Sequence, residues 1–194
     1  MRRRGAFPRY NLMIQNNDGT HINVWKVPKD VDPHTWAEGI VTIFCREYGF
    51  LERTRQVLLN AVYQLYRNVG IMDADTQTDI SNSSNNVSFL SIYEKIKSEY
   101  NTAADNEKEA YNKLLEILSA FNGYGIKARY YANGNCNGLG DFFGKSGSRT
   151  VDLAADAVNV MNTVLEFKYL NDEFRDFMNG SIAFCLCCIA MSKQ

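Results

Sequence analysis

Apolar and polar positions change their period several times along the chain, and each change marks an element. Tyr10–Gln15 and His21–Val27 alternate apolar and polar side chains around Asn16-Asn-Asp-Gly-Thr20. The Asp-Gly pair favours a tight turn, so residues 1–28 read as a β-hairpin appendage closed by Pro28. From Asp32 the spacing becomes helical. Asp32 can cap free amides, Pro33 suits the first helical position, and Trp36, Ile40, Ile43, Phe44 and Tyr48 share one face before Gly49 stops the run. A second helix carries Val57, Leu58, Ala61, Val62, Leu65, Tyr66 and Val69 and ends at Gly70, after a polar start at Glu52-Arg-Thr-Arg55.

Residues 73–87 are polar and rich in turn formers, which predicts a surface loop. Ser88 then caps a helix bearing Phe89, Ile92, Tyr93, Ile96 and Tyr100. Another, over about 102–121, bears Ala103, Ala110, Tyr111, Leu114, Leu118 and Phe121. Its opposite face holds Lys108, Glu109, Lys113 and Glu116, a solvated pattern. A short strand at 150–153 and helices over about 155–168 and 172–191 complete the chain. The expected fold class is mainly α, with five to six helices, an N-terminal β-hairpin and one short strand near residue 150. Residues 1–194 read as a single domain. It divides into the appendage at 1–28, a helical lobe at 32–121, a glycine-rich loop at 122–148, and the strand with C-terminal helices at 149–194.

Composition adds bounds rather than a site. With 21 basic and 22 acidic residues in 194, the chain has no global basic field to attract nucleic acid. The basic start Met1-Arg-Arg-Arg-Gly5 is not followed by an apolar stretch, so it does not read as a signal peptide. The apolar run Ile182–Met191 is too short to span a bilayer, which predicts a buried helix and no membrane partner. The five cysteines are unevenly placed, and the chain is expected to be cytoplasmic.

Several motifs invite chemistry and fall short of it. Gly144-Lys-Ser146 resembles the end of a phosphate-binding loop, but the glycine required five positions earlier is Leu139, and no helix start follows. Cys185 and Cys188 have a C-x-x-C spacing without a second pair to complete a zinc site. Asp73, Asp75 and Asp79 suggest calcium, yet Thr78 and Ser84 stand where an EF-hand needs Gly and Glu. The two histidines, His21 and His34, have no nucleophile beside them in sequence. No catalytic, nucleotide-binding or metal-ligating residue is assigned, and no cofactor is expected for this chain alone.

Two stretches carry a family resemblance. Lys26-Val-Pro-Lys-Asp-Val-Asp-Pro-His-Thr-Trp36, continuing through Ile43–Phe50 to Arg55–Tyr66, resembles the HerA/FtsK-type ATPases, hexameric DNA-translocating motors that include conjugative secretion ATPases. There a "vP-x-g-v-d-p-x-x-w" stretch leads into two helices ending near "l-y-x-x-x-g", and Asp30 stands where glycine is expected. Gly140–Leu153 is similar to the "l-f-x-g … v-d-l" segment before the Walker B strand. The resemblance implies a helical insertion between Walker A and Walker B. ATP and magnesium would then belong to the full motor, and no catalytic residue carries over to a position of this chain.

Three functional expectations follow. The first is a non-catalytic helical lobe of such a motor, with the rest of the motor or further copies of the chain as partner. The alternative is a small cytosolic helical adaptor, docking through aromatics such as Tyr63, Tyr66, Tyr93 and Tyr100. A DNA contact would use Lys127, Arg129, Lys145 and Arg149 beside Arg2–Arg4 and Arg9. The helix at 172–191 is apolar nearly all round, so it must be covered, which makes Phe177 and Ile182 candidates for an oligomer interface.

Overall fold

The computed structural model describes residues 22–28, 31–72, 87–121, 137–139 and 172–191. Within them the protein is mainly helical. A strand β1 (Ile22–Asn23) is followed by α1 (Pro33–Glu47), α2 (Glu52–Asn68), α3 (Phe89–Tyr100) and α4 (Lys108–Ser119); then come β2 (Asn137–Gly138) and α5 (Asp172–Met191). The first strand of the expected hairpin, the polar loop at 73–86, the strand at 150–153 and the helix at about 155–168 lie outside the described residues.

Helix boundaries follow local chemistry. The Asp32 carboxylate accepts from the Thr35 amide at 2.7 Å and the Thr35 hydroxyl at 2.8 Å, closing the start of α1. Gly49, at φ 64°, and Gly70, at φ 75°, let the chain leave α1 and α2 in the left-handed region that side chains resist. Ser88 and Ser91 cap α3 reciprocally: each hydroxyl accepts from the other's backbone amide, at 3.3 Å and 2.8 Å.

α4 starts at Lys108 rather than near 102. The Thr102 amide donates to Glu99 and the Glu107 amide to Ala104 at 2.8 Å, so residues 101–107 turn instead of extending a helix. Asp105 and Asn106, which favour turns over helix interiors, lie in that stretch.

The strand expected through Val27 stops at Asn23. The Asn23 carboxamide oxygen accepts from the Trp25 amide at 3.1 Å, and the Lys26 amide donates to the Asn23 carbonyl at 3.2 Å. A side chain that bonds its own backbone two residues on turns the chain. Val24, Trp25 and Val27 are then all buried, although strict alternation would face some of them outward. The short strand finds its partner in the glycine-rich segment: β1 pairs in parallel with β2, Ile22 opposite Asn137 and Asn23 opposite Gly138. The pairing is close, since a Cβ on Gly138 would stand 2.8 Å from the Lys26 Cβ.

The core is one aromatic cluster. Phe44 of α1 lies 5.8 Å from Phe89, 6.2 Å from Phe121, 6.4 Å from Trp25 and 5.5 Å from Phe177 between ring centres. Phe89 and Phe121 stack at 4.0 Å. Three side chains pin the turn after β1 to this core. Trp36 Nε1 donates to the Val24 carbonyl at 3.2 Å, the Tyr66 hydroxyl to the Trp25 carbonyl at 2.5 Å, and Asn23 Nδ2 to the Val87 carbonyl at 2.8 Å. Buried backbone carbonyls need such partners, and Trp36 of α1 and Tyr66 of α2 supply two of them where a longer sheet would have.

Candidate functional site

α5 packs chiefly on α1, and two glycines set the contact. A Cβ on Gly39 would lie 2.0 Å from the Phe184 ring, and one on Gly180 would lie 2.8 Å from Ile43 Cγ2. As α1 advances from 39 to 43, α5 retreats from 184 to 180, so the two helices run antiparallel. Phe184 also stacks on Trp36, 5.4 Å between centres with 27° between planes. This places the C-terminal half of α5 over the first turns of α1, at the same end of the bundle as the pinned turn.

The inner face of α5 is complete. Phe177, Met178, Ser181, Ile182, Cys185, Cys188 and Ile189 are buried. Ser181, the polar member, donates from Oγ to the Phe177 carbonyl at 2.8 Å. Phe177 and Ile182, the positions expected at an oligomer interface, therefore face their own chain's core. Phe177 meets Phe44 and Phe89 there, and both side chains are buried within the chain.

The outer face differs. Ala183, Leu186, Cys187, Ala190 and Met191 are exposed in a continuous strip. Leu186 is 46% and Met191 60% exposed, and with Leu51 they are the exposed large hydrophobics among the described residues. No Asp, Glu, Lys, Arg or His occurs from Phe177 to Met191. Single exposed hydrophobics are ordinary, whereas an uncharged, contiguous strip on a helix is a mark of an interaction surface. Apolar periodicity could not find this strip, because a helix apolar all round has no preferred inward side to read.

The thiols do not converge. Cys185 and Cys188 point inward and Cys187 outward, and burial pushes the Cys188 thiol up, with Cys187 adding to the effect. Cys45, in the core, is pushed up to about 12 by burial, which Arg55 only partly offsets. A thiol held protonated is a poor nucleophile. Among the described residues no group of three or more His, Cys, Asp or Glu is placed to hold a metal ion, and no helix is long and apolar enough to cross a membrane.

A second cluster joins α1 to α2. The Tyr63 hydroxyl donates to Glu38 Oε1 at 3.0 Å, and the His34 ring stands edge-on to Tyr63 at 5.2 Å. Burial, then the Glu38 bond, raises the Tyr63 phenol to about 12. Burial also pushes the Asp32 carboxyl up, but the Thr35 bonds and nearby His34 outweigh it and hold the group below its ordinary range. The Tyr63–Glu38 hydrogen bond ties α2 to α1.

Of the aromatics weighed for an adaptor face, Tyr66 is fully buried, while Tyr63, Tyr93 and Tyr100 are half-buried. Lys127, Arg129, Lys145 and Arg149 lie outside the described residues, as does His21. Compared with known proteins, the chain matches no family model, no curated protein and no solved structure.

Proposed function

We propose that the chain is a helical assembly lobe that docks through the outward strip of α5, and that the assembly it serves is a HerA/FtsK-like DNA-translocating motor. The docking half rests on one observation. Two of the three exposed large hydrophobics among the described residues, Leu186 and Met191, fall on one charge-free helix face beside Ala183, Cys187 and Ala190.

The motor half rests on the sequence resemblance of residues 26–66 and 140–153. The residues that carry the first stretch are also joined in space. Asp32 caps α1, Trp36 bonds the Val24 carbonyl, and Tyr66 at the end of α2 bonds the Trp25 carbonyl. On this reading ATP and magnesium are handled by the rest of the motor, and this lobe supplies surface.

Cys187 reports on docking. In a Cys136→Ser background, maleimide labelling of Cys187 is compared between a native extract and purified, dilute protein. Labelling about tenfold slower in the extract is expected for a site nine-tenths occupied. Equal rates overturn the docking reading.

The motor half is tested separately. The purified chain is expected to show no magnesium-dependent ATP hydrolysis, and a rate that Lys145→Ala abolishes would overturn the assignment. DNA contact through Lys127, Arg129, Lys145 and Arg149 belongs to the same half. It predicts sequence-independent binding that weakens steeply with salt, and salt-insensitive binding would count against it.

A further inference from the structure

We draw no further inference here: the strongest candidate, the exposed apolar strip of α5 from Ala183 to Met191, belongs to the docking surface already proposed, and nothing in the structure shows what covers it.

Discussion

α2 and α5 both bury a long face, but they differ in what they present on the other side. α2 turns Leu58, Leu59, Ala61, Val62 and Tyr66 inward and shows solvent Arg53, Gln56, Asn60 and Arg67. Water satisfies that outer face, so α2 is finished within its own chain. α5 turns Phe177, Ile182 and Cys185 inward and shows solvent Ala183, Leu186, Cys187 and Met191. Apolar area left in water forfeits about 25 cal/mol per Å² that burial would return. Two helices that each bury an apolar face thus differ in what they leave to solvent. The contrast sorts substitutions by side of the helix rather than by residue type.

The largest effect should come from the inner face of α5. Phe177→Ala removes a ring from the Phe44–Phe89 cluster and should lower unfolding free energy by about 3–5 kcal/mol, read by denaturant titration. A loss under about 1 kcal/mol would mean that α5 is not anchored in the core as described.

Next comes the glycine contact. Gly39→Ala drives a methyl into the Phe184 ring and should cost about 1–3 kcal/mol. Adding Phe184→Ala should make the pair of substitutions less damaging than their sum, and strict additivity would deny the contact.

Alkali offers a third probe. Burial raises the Cys45 thiol and, with Glu38, the Tyr63 phenol to about 12 each. Both hold a proton in the folded chain that the unfolded chain releases near pH 9 for Cys45 and near pH 10 for Tyr63. Their contribution to stability is therefore complete below pH 9 and is lost as pH climbs towards 12. Cys45→Ala should flatten the early part of that decline. A pH–stability curve unchanged by the substitution would refute the assignment.

The smallest effect belongs to the outer strip. In dilute protein Leu186→Ser should shift stability by no more than about 0.5 kcal/mol. A large loss in thermal melts would show Leu186 to be inside the fold, and the comparison with α2 would collapse.

What the sequence disclosed depended on how local the cause was. Asp32-Pro33, Gly49, Gly70 and Ser88 act on backbone within a turn of themselves, and the boundaries of α1, α2 and α3 fall where those residues put them. α5 spans Asp172–Met191, as its apolar run required. The late start of α4 was hidden because helical spacing from Ala103 continued through turn residues. Asn23 was hidden for a different reason. It looks like the polar member of an alternating strand, and only Val87, 64 residues away, explains why it is buried. The candidate surface was legible as a need for cover on α5, but which side lacked cover depended on where α1 lay. Phe177 and Ile182 were natural choices by hydrophobicity, and the antiparallel packing on α1 gave them to the core.

The pinned turn after β1 also has a consequence for how this chain comes into being. Its three fasteners arrive late: Trp36, then Tyr66, then the Val87 carbonyl, the last 64 residues downstream of Asn23. At roughly 5–20 residues per second of ribosomal synthesis, Asn23 waits about 3–13 seconds for its partner to be made. During that interval Val24, Trp25 and Val27 have no finished core to enter, and a nascent chain stalled before Val87 would keep that apolar turn open to whatever meets it.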